Sequence, residues 1–196
     1  MPAIAAGNAI TVQNLLAAFE TASNAHARYT AFAARAEDEG LHGTAGLFRT
    51  AARAEQIHST NHARVIGLAG GHPECEIYPV AVRTTLENLK TALNGEQNEI
   101  GSVLPGFMEE AAERKNTAAL RSFTGALEAG KTRARRCSES IALVQAGMMD
   151  AVIGTWIGEV RDFYVCPVCG YSSETEEEHE HCPVCKCLWE KFEIIR

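Results

Sequence analysis

The chain has 196 residues, a formal net charge of −7 and 46% hydrophobic residues. That length suits one ordinary domain plus a small one. The acidic balance argues against nucleic acid or an anionic membrane as partner, and no run of about 18 apolar residues is present to span a bilayer. The N-terminus lacks the basic start of a secretion signal. Seven cysteines, mostly in Cys-x-x-Cys hooks, suit a reducing cytoplasm better than a disulfide scaffold.

Four helices are expected in chain order. Over 12–39, Leu15, Phe19, Ala22, His26, Tyr29, Ala33 and Ala36 recur at helical spacing, and Gly40 and Gly43 end the pattern. A second helix over 44–69 carries Leu47, Ala51, Glu55, His58, His62 and Val65, and Gly70-Gly71-His72-Pro73 stops it. After a crossover, a third helix over 80–113 carries Val82, Leu86, Leu89, Leu93, Glu96, Ile100, Val103 and Phe107. Pro105 should kink it. A fourth over 117–148 carries Leu120, Phe123, Leu127, Gly130, Ala134, Cys137, Ile141 and Val144. Short links within each half and one longer crossover predict a four-helix bundle of the kind that hosts metals in its core. The bundle is assigned to 1–149, a bridge to 150–162 and a cysteine-rich domain to 163–196.

Two polar pairs fall on the apolar stripes. Glu55-x-x-His58 and Glu96-x-x-Glu99 each place two side chains on one helix face. Buried unpaired carboxylates are costly, and a divalent metal is the usual remedy. Glu-x-x-His is the di-iron carboxylate signature. The competing reading is a solvated face or a salt-bridge network.

Near the C-terminus, Cys166-Pro-Val-Cys169 and Cys182-Pro-Val-Cys185 supply four thiolates to one tetrahedral metal. Spacing alone leaves zinc and iron open. A chain piece below about 40 residues rarely folds without such a staple. Gly170 follows the first hook, but Lys186 holds the matching place after the second. A left-handed lysine there costs about 1–2 kcal/mol. Tyr164, Tyr171, Trp189 and Phe192 are expected to pack the small core. Cys187 reads as a bystander, Cys75 as a thiol in the crossover and Cys137 as a small core hydrophobe. The acidic loop Glu174 to Glu180, with His179 and His181, reads as a solvated turn or as a device that steers a redox partner.

A faint internal repeat superposes the first half of the bundle on the second. It sets Ala22 against Glu96, Gly130 against Glu55 and Arg133 against His58.

Taken together, the chain resembles the rubrerythrins. The most specific pieces are Arg28-Tyr29 with Glu39-Gly40, Glu55-x-x-His58, Gly95-Glu96-x-x-Glu99, Tyr164-Val-Cys166-Pro-Val-Cys169-Gly170-Tyr171, Cys182-Pro-Val-Cys185 and Lys191-Phe192-Glu193. The resemblance implies a mainly α protein: a ferritin-like four-helix bundle followed by a small rubredoxin-like metal-binding β domain. It raises iron over zinc at the four cysteines. It implies that this iron passes electrons to a bundle metal site that reduces hydrogen peroxide to water. On that model Glu55 bridges two irons, His58 and Glu99 serve one and Glu96 the other, so these four are the expected catalytic ligands. An electron-donating reductase and a homodimer, with helix exchange through the 70–80 crossover, are implied partners.

The chain departs from that pattern at three places. The family's first-helix glutamate falls on Ala22, and its fourth-helix Glu-x-x-His falls on Gly130 and Arg133. Glu20 and Glu128 are two residues off register, about 200° around a helix, and should face away from the core. His26, one turn from Ala22, is either a substitute ligand or a hydrogen-bonded core residue. Arg133 brings a fixed cation that could neutralise Glu55 or Glu96. The expectation is therefore one bundle metal, held by Glu55, His58 and Glu99, or none. The alternative function is an electron-transfer or metal-binding protein without peroxidase activity. A zinc-ribbon interaction domain on a helical adaptor is a third class, and it predicts a colourless protein.

Overall fold

The computed structural model describes residues 9–146, 159–174 and 180–196. Four long helical spans pack as a bundle. They are α1 (Ala9–Asp38), α2 (His42–Leu68), a third span and α5 (Thr117–Gln145). The third span is α3 (Thr85–Asn98), a π segment (Glu99–Val103) and α4 (Leu104–Glu113). Each helix forms for the reason its stripe suggests. α1, for example, buries Val12, Leu15, Ala18, Ala22, Ala25, Tyr29, Phe32 and Ala36, three or four residues apart. The many alanines let α1 and α2 approach closely. Tyr29, Phe32 and Phe48 fill the space between them, with Phe32 and Phe48 ring centroids 5.4 Å apart.

Two details differ from the periodic reading. The third span begins at Thr85 rather than at residue 80, because Thr84 caps it. The Thr84 hydroxyl accepts the Glu87 N–H, and the Glu87 carboxylate accepts the Thr84 N–H in return. Val82 keeps the helical spacing yet is 44% exposed on the crossover. The irregularity expected at Pro105 lies one turn earlier. Proline cannot donate to the preceding turn, and the helix widens into the Glu99–Val103 π segment instead of ending.

The C-terminal lobe is a three-stranded antiparallel sheet in the order β2-β1-β3, made of β1 (Phe163–Val165), β2 (Ser172–Ser173) and β3 (Glu193–Ile195). Trp189 stacks on Phe192 at 4.1 Å, and Tyr164 lies 5.7 Å from Trp189. The lobe packs on α2 and α5. Phe163 is buried among the bundle's own core residues. Arg53 on α2 makes a two-pronged pair with Glu193 at 2.6 and 2.7 Å. Gly46 and Gly125 leave the room this contact needs: a Cβ on Gly125 would stand 2.9 Å from the Cys169 carbonyl oxygen. Residues 150–158 of the expected bridge, and 175–179 of the acidic loop with His179, lie outside the described residues.

Candidate metal centres

The two hooks form paired knuckles. Cys166 N–H donates to Tyr171 O at 2.8 Å, and Cys182 N–H to Cys187 O at 2.7 Å. Each knuckle closes on a left-handed residue, Gly170 at φ 76° and Lys186 at φ 63°. The expected left-handed lysine is therefore present, with its ammonium turned back to Pro183 O.

The ligand atoms of Cys166, Cys169, Cys182 and Cys185 all lie within 4.8 Å of one another. Cys166 and Cys185 sulfurs are 3.5 Å apart, Cys169 and Cys182 sulfurs 3.6 Å. A tetrahedral metal with bonds of about 2.3 Å needs sulfur edges of about 3.8 Å. The cage therefore fits a tetrahedral metal ion with only a slight expansion. The cage thiols share hydrogen bonds that hold Cys182 below its ordinary range while Cys166 and Cys169 end above theirs, and a metal releases the remaining thiol protons when it binds. Three of the sulfur ligands are buried and Cys185 is half-buried. Cys187 lends only its carbonyl to the knuckle. Cys137 is a buried thiol pushed up to about 12 by burial, as suits a core hydrophobe.

In the bundle, Glu55, Glu96 and Arg133 meet at the centre, each buried. Arg133 donates Nε to Glu96 Oε1 at 2.8 Å and Nη2 to Glu96 Oε2 at 3.0 Å. The same Nη2 donates to Glu55 Oε1. Tyr29 donates its hydroxyl to Glu96 Oε1 at 2.6 Å. Burial alone would raise the Glu55 pKa, but Arg133 and then His58 outweigh it and hold the group down at about 2. The guanidinium gives these carboxylates the countercharge that a metal would otherwise supply.

Glu99, on the π segment, lines one small cavity with Glu55, His62 and Ala22. Burial, followed by repulsion from Glu55 and Glu96, pushes its carboxyl up to about 8, so it is mostly neutral near pH 7. His58 turns its Nε2 out of the bundle to the Cys169 carbonyl at 3.1 Å. A carbonyl only accepts, so this nitrogen carries the proton. Its Nδ1 lies 3.4 Å from Glu55 Oε2. Among the described residues, the four cysteines are the group of three or more potential ligands that gathers to metal-binding distance. Glu55, His58, Glu96 and Glu99 share one region of the core but do not gather in that way.

The remaining positions follow. Ala22 is buried and offers no ligand. Gly130 is where Glu96 and Ile100 press in: a Cβ there would stand 3.0 Å from Glu96 Oε2 and 2.9 Å from Ile100. Glu20 accepts from the Tyr78 hydroxyl, and Glu128 pairs with Lys131 on the surface. His26 binds Ala52 O at 2.8 Å through Nδ1, the hydrogen-bonded alternative. His62, read only as part of a stripe, is a further buried histidine 2.8 Å from the Ser122 hydroxyl. Burial pushes its pKa down to about 3, so it stays neutral.

Comparison with known proteins places this arrangement. The family model for rubrerythrin matches residues 13–136. The chain belongs to the rubrerythrin family. Within the family it is 32% identical to nigerythrin from Nitratidesulfovibrio vulgaris, over 89% of this chain and 81% of that one. It is 30% identical to rubrerythrin-2 of Clostridium acetobutylicum, over 96% and 98%. The structure of nigerythrin in a mixed-valence state superposes with a TM-score of 0.80 at 30% identity, covering 94% of this chain and 86% of that one. The chain is thus a rubrerythrin-family non-haem iron protein with a four-cysteine site. At the bundle centre, Ala22 and Gly130 bring no donor side chain, and the Arg133 guanidinium is bonded to Glu55 and Glu96.

Proposed function

We propose that this rubrerythrin-family protein is a one-electron carrier whose bundle has exchanged its metals for Arg133. The observation that carries the reading is the pairing of one buried guanidinium with both Glu55 and Glu96. A cation fixed on those carboxylates opposes a second cation at the same oxygens. The bundle then holds one metal or none.

Iron held by Cys166, Cys169, Cys182 and Cys185 supplies a one-electron couple. The chain's own residues do the rest. Tyr171, Val184, Cys187 and Phe192 pack against the cysteine cluster. His58 Nε2–H grips the Cys169 carbonyl and joins the sulfur cage to the bundle core. Arg133 and Tyr29 hold Glu96 in place through hydrogen bonds. A reducing cytoplasm, a reductase as electron source and a homodimer are parts of the same proposal.

Peroxide reduction is the second reading, and the His58–Cys169 contact favours it, because it links the cage to the place where family members keep a metal. Splitting peroxide takes two electrons together, however, and a lone centre stores one. The test mixes the reduced protein with peroxide and follows the iron–thiolate colour. The carrier reading expects slow reoxidation or bleaching. Return of the full colour within the mixing time at equimolar peroxide would establish peroxide reduction instead.

A further inference from the structure

Arg35, Arg49, Arg53, Arg114 and Arg135 each pair with a carboxylate. Arg64 on α2 and Arg121 on α5 lie exposed and pair with none among the described residues. Both line one groove, where Lys186 of the second knuckle joins them. The Lys186 ammonium reaches only the Pro183 carbonyl, at 3.3 Å. No carboxylate lines this groove among the described residues. Three like charges thus gather without countercharge in a chain whose net charge is −7, and they repel one another until an anion joins them.

The groove has a volume of about 510 Å³, which lies in the range of small-molecule sites. Leu120, Val168 and Val184 give it an apolar wall, with Val168 52% exposed. Asn61 also lines it, and its Nδ2 donates to the Val168 carbonyl at 2.8 Å, which leaves Oδ1 as an acceptor. A ligand that uses all three features carries two or more negative charges, an apolar body and a hydrogen-bond donor. A bare inorganic anion leaves the wall unused. A long polyanion is repelled by the acidic remainder of the chain.

We propose that this groove binds a nucleoside diphosphate. The diphosphate supplies the countercharge that Arg64, Arg121 and Lys186 lack. Guanidinium groups are suited to both parts of such a ligand, because they bind phosphate oxygens and stack on planar rings. The wall of Leu120, Val168 and Val184 takes the base, and a sugar hydroxyl donates to Asn61 Oδ1. Cys185, the least buried of the four sulfur ligands, lines the same groove, so the bound ligand covers it. The ligand exchanges no electron with the cage, and the site stands whether or not the protein is an electron carrier.

The test is calorimetric titration of the as-purified protein with ADP at roughly 20 mM salt, which should show one saturable site per chain. Raising the salt to roughly 200 mM should weaken binding at least about threefold. R64E/R121E/K186E should weaken it at least about tenfold at low salt. All three side chains are exposed, so the visible spectrum and melting temperature of this variant should match the parent. The milder R64Q/R121Q, which removes charge without reversing it, should fall between. Adenosine lacks the charge and pyrophosphate lacks the base, and each should bind at least about tenfold more weakly than ADP. A second readout locates the ligand. Ferric iron in the cage is paramagnetic, so the iron protein should broaden the phosphorus resonances of ADP well beyond the zinc-substituted protein. Absence of saturable binding, equal affinity in parent and triple variant, pyrophosphate binding as tight as ADP, or equal broadening by the iron and zinc forms would each overturn the proposal. Reducibility of the iron by dithionite reads the carrier function separately.

Discussion

Replacing Arg133 with methionine tests the centre of the bundle. The side chain is 4% exposed and makes three hydrogen bonds to two carboxylates. Methionine fills similar volume but removes the charge, leaving Glu55 and Glu96 facing each other with Tyr29 and His58 as remaining contacts. Breaking a buried pair by removing one partner costs about 3–5 kcal/mol. Protonation sets a ceiling. Neutralising one carboxyl near neutral pH costs about 1.4 kcal/mol per pH unit above its ordinary pKa, or about 3–4 kcal/mol in all. The two figures agree, and melting should fall by about 7–15 °C for a chain of this size. The sign with pH is fixed. In the variant the folded carboxyl pKa lies above the unfolded value, so the penalty is present above the unfolded pKa and shrinks as pH falls. By about pH 5 the loss should be near 1 kcal/mol. In the parent, Glu55 is depressed to about 2, so its contribution is present above the unfolded pKa and is lost as pH drops toward 2. Thermal unfolding of both proteins across this range is the assay. A variant that melts within about 2 °C of the parent near neutral pH, with the same pH profile, would refute the argument that Arg133 keeps Glu55 charged.

The other predictions concern the lobe and its contact. Gly170→Ala places a Cβ 2.4 Å from His58 Nε2 on a backbone at φ 76°; it should slow electron exchange and lower melting by several degrees, while retaining the iron colour. Cys182→Ser removes one of the four sulfur ligands; iron content should fall below half an equivalent, and the lobe's aromatic near-ultraviolet signal should collapse. His62 is neutral when folded, with its pKa near 3 against about 6.5 unfolded. Only the unfolded chain takes the proton between those values, so stability is lost as pH falls below about 6.5. His62→Gln should shrink the stability difference between about pH 7 and pH 5 by roughly 2 kcal/mol, measured by denaturant titration at each pH.

Much of this architecture could be read from residue order. Leu15, Tyr29, Leu47, Leu89 and Phe123 belong to stripes at helical spacing because one face of each helix must be buried, and that requirement is local. The cysteine hooks are legible because a tetrahedral cage constrains spacing tightly. Arg133 could be placed opposite Glu55 and Glu96 because the internal repeat put it where a ligand was missing. Other features follow from tertiary contacts that periodicity does not carry. Val82 keeps the stripe, but the Thr84 cap starts the helix after it. The π segment is a shift in backbone hydrogen bonding and leaves no mark on the apolar pattern. His58 reads as a ligand from its position on α2, yet its outer nitrogen is claimed by Cys169, 111 residues away. Gly125 and Gly170 are the signal that was available: a side chain at Gly125 would meet the Cys169 backbone, and one at Gly170 the His58 ring.

The most direct measurement is anomalous diffraction at the iron edge from crystals of the protein purified with its native metal. The account predicts one strong peak among the sulfurs of Cys166, Cys169, Cys182 and Cys185, with Arg133 still bound to Glu55 and Glu96. Two peaks between the helices, with the guanidinium swung away from both carboxylates, would contradict it.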